Sequence, residues 1–162
     1  MHKTKFNLWH SAAGLVLLVV VEAVLLLLGG VVPHGSWLVL LFALGGGAWI
    51  VVLAAEVVRE VHKAVHMLVL LSGVMAEFIL YFAFQYHFML SLDSASFAGL
   101  VQNPVALLLQ STMVFVFNPL YLPSTTAAQA LSLVNTLGAL ILVLFIVQNI
   151  WQFRTGSADN RL

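Results

Sequence analysis

Two carboxylates stand inside long apolar stretches of the chain, Glu22 in the first stretch and Glu77 near the middle of the third. A charged carboxylate is costly in the hydrocarbon of a bilayer, and no lysine or arginine stands at the depth of either residue. Each carboxyl group is therefore expected to be protonated, hydrogen-bonded, or in contact with water or a cation. A proton or ion pathway and a neutral hydrogen bond between helices are the two interpretations that follow.

Histidines are the second group of residues with potential chemistry. His62 and His66 are four residues apart, which places them on one helix face as half of a zinc site, although two further ligands would be needed. A helix extension with interleaved charges is the alternative interpretation. His10 and His66 should share one depth, and His34 and His87 the other, as axial ligation of a b-type haem requires. We expect no metal and no cofactor, with haem as the alternative.

Composition sets the class of protein. The chain has 162 residues, of which 62% are hydrophobic and 7% are charged, with a net charge of zero and no cysteine. A soluble domain is roughly 45–50% apolar and about 25% charged. These values exclude disorder, nucleic-acid binding and a disulfide scaffold. The composition predicts an integral membrane protein of one domain. No phosphate-cradling glycine loop, zinc helix or triad motif is present in the sequence, so we predict that the protein is not an enzyme.

Four stretches have the length of about 20 residues that crossing a bilayer requires. They are predicted at residues 8–28, 37–58, 65–90 and 127–151. A fifth apolar stretch, 104–117, has about 14 residues and is too short to cross. Asn103 can cap a helix there and Pro104 suits its first position, while Pro119 stops it. The prediction is an all-α membrane protein with four transmembrane helices and one re-entrant half-helix at 103–117, followed by an extended return over 117–123.

Charge placement gives the orientation. With four crossings, all six basic residues fall on one side of the membrane; they are Lys3, Lys5, Arg59, Lys63, Arg154 and Arg161. The positive-inside rule then places both termini in the cytoplasm. The predicted location is the plasma (cytoplasmic) membrane, as a multi-pass protein.

Small residues interrupt the second stretch, where Gly45, Gly46 and Gly47 follow one another. Small side chains let helix backbones approach closely in membranes. We predict a packing face here and no ligand site.

The order of elements over residues 64–153 resembles the pore module of the potassium-channel superfamily of pore-loop cation channels. The segment FILYFAFQYHF (78–88) is similar to the end of an outer helix in small bacterial members. The segment LLLQSTMVFVFNPLYLP (107–123) resembles a pore helix that runs into a filter, and LVNTLGALILVLFIVQNIW (133–151) resembles an inner helix. Two additional transmembrane helices and a cytoplasmic linker are predicted before this module, over 1–63, and a cytoplasmic tail after it, over 154–162.

The filter of that family reads TVGYG, and its carbonyl oxygens replace the hydration shell of potassium. The filter-like residues of this chain are Thr112, Phe115, Val116, Phe117, Asn118 and Pro119. Since no glycine stands between Gly99 and Gly138, a row of carbonyls facing one axis is difficult to build. A pore on this scaffold is expected to be non-selective, hydrophobically gated or non-conducting.

The resemblance also implies a symmetric homotetramer in membrane lipid, because one hairpin cannot close a pore. Asn135 and Thr136 would line its cavity, and Gly138 would be the gating hinge. Two other classes remain open. One is a small accessory subunit of a larger membrane complex, for example a respiratory one, and the other is a b-type haem or quinone-site protein.

Overall fold

A computed structural model describes residues 8–28, 35–60 and 64–159, and every regular element in these ranges is an α-helix. Side chains are described over 13–28, 35–59, 65–149 and at 151. The helices are α1 (Leu8–Leu28), α2 (Gly35–Glu60), α3 (Ala64–Leu92), α4 (Pro104–Phe115) and α5 (Thr126–Asp159). The all-helical prediction is confirmed. Because α5 continues to Asp159, most of the predicted tail over 154–162 has a helical backbone.

Three of these helices are long and apolar enough to cross a membrane. They are Gly35–Arg59, Val65–Leu92 and Thr126–Asn149, with hydropathies of 2.4, 2.1 and 2.5. In the other two helices, the apolar segments among the described side chains are shorter, Ala13–Leu28 and Pro104–Phe115. This pattern is typical of a membrane protein.

Helix α3 is the centre of the arrangement, since it contacts each of the other four described helices. Helix α1 packs on α2 and α3, α2 also packs on α5, and α4 packs on α3 and α5. The core lies along α3, where Phe78, Phe82, Tyr86 and Met89 are completely buried. Their spacing of three or four residues makes one continuous helix face.

The start of α4 follows the prediction from sequence. The Oδ1 atom of Asn103 accepts a hydrogen bond from the backbone N–H of Val105 at 2.9 Å, and Pro104 occupies the first turn. An asparagine cap satisfies a backbone donor that has no partner within the helix, and proline there loses no hydrogen bond. The Asn-Pro pair thus begins α4 where its local chemistry predicts.

Candidate functional site

The chain turns back after α4 and runs beside it, and the side chain of Gln110 joins the two. The buried Oε1 atom of Gln110 accepts hydrogen bonds from the backbone N–H groups of Leu120 at 3.1 Å and Tyr121 at 3.0 Å. Its Nε2 atom donates to the carbonyl oxygen of Tyr121 at 3.0 Å. One amide therefore satisfies three backbone groups of the return segment, residues 117–123. No role is predicted for Gln110 from the sequence, although a lone amide inside an apolar half-helix is a usable signal.

The far end of the return segment pairs with the loop that follows α3. The backbone N–H of Ala98 donates to the carbonyl of Leu122 at 2.9 Å, and that of Ser124 donates to the carbonyl of Ser96 at 2.7 Å. Phe97 lies between these bonds and packs against Tyr86 with ring centroids 5.2 Å apart. Helix α4 and the return segment therefore form a hairpin, the α4 hairpin, that begins and ends at the carboxyl end of α3.

The hairpin reaches about half-way down α3. The hydroxyl of Ser111 donates to the carbonyl of Ile79 at 2.7 Å, and the ring of Phe115 meets that of Phe78 edge-on at 5.6 Å. Phe78 stands about 14 residues before the end of α3, which is about 21 Å at the helical rise. The end of α4 is thus inserted between α3 and α5, beside the middle of α3.

The hairpin tip, residues 116–120, is exposed, and its backbone is unusual. The backbone N–H of Phe117 donates to Val114 O at 2.9 Å, and that of Asn118 donates to Met113 O at 2.8 Å. This pattern closes a helix through a residue in the left-handed region, which is usually glycine. Here that residue is Phe117, with φ of 61°, and no other described non-glycine residue has positive φ. The cap explains why α4 ends at Phe115, two residues before the predicted end.

The predicted filter-like residues have two kinds of environment. Val116, Phe117, Asn118 and Pro119 are exposed at the tip. Thr112 is half-buried and donates to Leu108 O at 2.8 Å within its own helix. Phe115 is buried on Phe78, so its ring belongs to the core of the chain.

The residues predicted to line a cavity have contacts within the chain. Asn135 is completely buried, and its Nδ2 atom donates to the hydroxyl of Tyr86 at 3.0 Å. Thr136 is half-buried and donates to Ser132 O at 2.8 Å. A Cβ atom at Gly138 would lie 3.0 Å from two ring atoms of Phe78. The absence of a side chain at Gly138 thus lets α5 approach α3 closely.

Glu22 and Glu77 lie on different helices and differ in burial. Glu22 on α1 is completely buried, and its Oε2 atom accepts a hydrogen bond from Gln85 Nε2 on α3 at 2.8 Å. Glu77 on α3 is half-buried. The side-chain partner of Glu22 is thus a neutral amide, which could not be predicted from the sequence.

Of the histidines considered as ligands, the structure describes the side chains of two, His66 and His87. His66 is exposed and His87 is half-buried, whereas the side chains of His10, His34 and His62 lie outside the described residues. Among the described residues, no three His, Cys, Asp or Glu side chains come together in a way that could hold a metal ion. The haem and zinc alternatives therefore gain no support from the described side chains.

The chain matches no protein-family model, no curated protein and no solved structure. The geometry of the α4 hairpin and its surroundings is therefore the basis for assigning a function.

Proposed function

We propose that this protein is a pore-loop membrane protein of the potassium-channel type that assembles as a homotetramer. Helices α1, α2, α3 and α5 cross the membrane, and the α4 hairpin is re-entrant. The observation that carries the proposal is the hairpin itself, which starts and ends beside the end of α3, reaches its middle, and is closed by Gln110.

Length supports the re-entrant assignment. Helix α4 has 12 residues, or about 18 Å, against a hydrocarbon thickness of about 30 Å. Its neighbours α3 and α5 are long enough to cross, and a short helix packed against both fits a segment that enters the membrane without crossing it. The 21 residues of α1 suit a fourth crossing.

The basic residues support the orientation. An even number of crossings leaves all six lysines and arginines on one side, which the positive-inside rule assigns to the cytoplasm. Both termini are then cytoplasmic, the membrane is the plasma membrane, and the α4 hairpin enters from outside.

The exposed tip supports assembly around an axis. Val116, Phe117 and Leu120 are about half exposed on one chain, next to the polar side chain of Asn118. A single hairpin encloses nothing, whereas four tips around a fourfold axis cover their apolar surface and close a narrow path. In this arrangement the residues of the hairpin tip line the path along the axis. Asn135 lies in the core of each chain and not on the path.

The conduction expected of such a path follows from its side chains. Four Phe117 rings on one axis form an apolar constriction that excludes water, which is a known means of gating. No glycine is available in the return segment to turn a row of carbonyls toward the axis. We therefore propose a non-selective or hydrophobically gated path, which is closed where the four Phe117 rings meet.

Cysteine crosslinking tests the assembly, because the natural chain has no cysteine and an introduced one stands alone. We expect Asn118→Cys to form disulfide-linked dimers upon oxidation in detergent, since four tips converge on the axis. Leu41→Cys is the matched control, because Leu41 is 66% exposed but lies on α2, away from the tip. Electron microscopy of the same particles should show fourfold symmetry.

Two outcomes would overturn the tetramer. One is a monomeric particle whose Asn118→Cys and Leu41→Cys variants crosslink to the same extent. The other is a particle that holds one copy of this chain with other polypeptides, which would favour the accessory-subunit alternative.

Planar-bilayer recording tests the constriction. Phe117→Ser is expected to raise the current severalfold over that of the natural protein, because a hydroxyl ring wets the path. Phe84→Ser is the control, since Phe84 on α3 has the same exposed fraction of 49% as Phe117. Equal currents from the two variants would remove Phe117 from the path.

A further inference from the structure

We infer that Glu22 and Gln85 form a proton-binding site. The proton is bound to the Glu22 carboxyl group, which donates it in a hydrogen bond to Gln85, and this bond helps to attach α1 to α3. Both side chains are completely buried, and one hydrogen bond of 2.8 Å already joins Gln85 Nε2 to Glu22 Oε2. The inference is independent of the pore and of the oligomeric state proposed above.

The atoms left over identify the ligand. Glu22 Oε1 and Gln85 Oε1 are both buried and have no hydrogen-bond partner in the part of the chain that the structure describes. An ionised carboxylate and an amide oxygen are both acceptors, so this pair of atoms lacks a donor. A protonated Glu22 has one O–H group, and the amide oxygen of Gln85 is an acceptor that has no other donor among the described residues. One bound proton therefore supplies the donor that this pair lacks.

The charged and titratable groups around Glu22 offer no substitute for the proton. On α3, Tyr81 stands one turn from Gln85 and donates its hydroxyl to Phe42 O on α2, and Glu77 lies one further turn away. The charged groups described on α2, Glu56 and Arg59, follow Phe42 by about 14 and 17 residues, or more than about 20 Å. No ion pair to Glu22 exists among the described residues. An ionised Glu22 would thus be an uncompensated buried charge.

The site matters for α1 because α1 buries so little else. Among its described side chains, Leu15 and Glu22 are the two that are buried, while most of the others face outward. The hydrogen-bonded pair is therefore a main attachment of α1 to α3. Loss of the proton would remove the hydrogen bond from the Glu22 carboxyl group to Gln85 Oε1 and leave a buried negative charge. We therefore expect α1 to separate from α3 as pH rises.

Labelling with N,N′-dicyclohexylcarbodiimide tests the bound proton, because this apolar reagent modifies protonated carboxyl groups in apolar surroundings. We expect the natural protein in lipid vesicles to be modified at Glu22 at about pH 7, where exposed carboxyl groups are ionised. Glu22→Gln should lose this modification, and Glu77→Gln should keep it, with the site identified by peptide mass spectrometry. Absence of label at Glu22 in the folded natural protein, or label at Glu77 alone, would overturn the bound proton.

Thiol reactivity tests the attachment of α1. We expect Leu15→Cys to react slowly with a membrane-permeant maleimide at neutral pH, and severalfold faster at alkaline pH relative to Leu142→Cys. Leu142 is completely buried on α5, which α1 does not contact, so it corrects for thiol ionisation and general loosening. Adding Glu22→Gln to Leu15→Cys should abolish the pH dependence, because the second amide stays neutral and supplies a donor. A pH dependence that persists in this double variant would contradict the role of Glu22.

Discussion

Gln110→Ala is expected to reduce the free energy of unfolding by about 3 kcal/mol, because it leaves backbone groups of Leu120 and Tyr121 without partners. An unsatisfied buried donor or acceptor costs about 1–3 kcal/mol, and the N–H and carbonyl groups of half-buried Tyr121 account for most of the loss because Leu120 is exposed. For a chain of this size the loss corresponds to a drop in melting temperature of roughly 10 °C. Thermal unfolding in detergent, followed by circular dichroism, measures it.

Gln102→Ala is the matched control for the Gln110 substitution. Gln102 is exposed and makes one side-chain hydrogen bond, from its Nε2 atom to Ser91 Oγ at 2.9 Å. Substitutions at such surface positions change stability by about 0.5 kcal/mol or less. Equal melting temperatures for the two alanine variants would contradict the role of Gln110.

A third variant separates the two functions of the Gln110 amide. Gln110→Glu keeps an oxygen for the N–H groups of Leu120 and Tyr121, but it replaces the donor to Tyr121 O with a second acceptor. We expect its stability to fall below that of the natural protein.

In combination with Asn118→Cys, the Gln110→Ala variant should also weaken the dimer crosslink, because the tip loses its fixed position. These two readouts connect the stability of the hairpin to the proposed assembly.

The helices could be predicted from the sequence because their signals are local. The apolar stretch at 8–28 coincides with α1, and the Asn103-Pro104 pair sets the start of α4. Hydropathy and end-capping depend on residues within one or two helical turns, so they can be recognised without knowledge of the partners.

The sites depended on information that is not local. Glu22 and Gln85 are 63 residues apart, and their contact depends on how α1 and α3 are rotated against each other. The prediction gave Asn135 and Thr136 one environment, whereas neighbouring helical positions point about 100° apart, and only Asn135 is completely buried. The left-handed Phe117 could not be predicted, because that conformation ordinarily selects glycine.

Gly46→Ala is expected to cost about 3 kcal/mol, since a Cβ atom at Gly46 would overlap with the ring of Tyr81. The ring cannot move aside without loss, because its hydroxyl donates a hydrogen bond to Phe42 O on the same helix as Gly46. The run of three glycines predicts a packing face, and the structure shows that its members differ. Thermal unfolding in detergent gives the cost.

Gly45→Ala is the control for Gly46→Ala, because it makes the same change one residue earlier in the same helix. No atom lies within 4 Å of a Cβ at Gly45, so alanine should raise stability by up to about 1 kcal/mol through its helix propensity. Opposite signs at adjacent positions cannot arise from propensity alone. Two losses of equal size would contradict the overlap with Tyr81.

A double-mutant cycle with Tyr81 separates overlap from hydrogen bonding at the contact between α2 and α3. Tyr81→Phe removes the hydroxyl but keeps the Cζ and Cε1 atoms that the new Cβ would meet, so it should rescue Gly46→Ala only in part. Tyr81→Ala removes the ring, and the cost of Gly46→Ala should then nearly vanish on that background, although Tyr81→Ala is itself destabilising. A complete rescue by phenylalanine would instead show that the hydroxyl and its bond to Phe42 O, and not the ring, account for the cost. The expected coupling therefore assigns the absence of a side chain at Gly46 to the space that the Tyr81 ring needs.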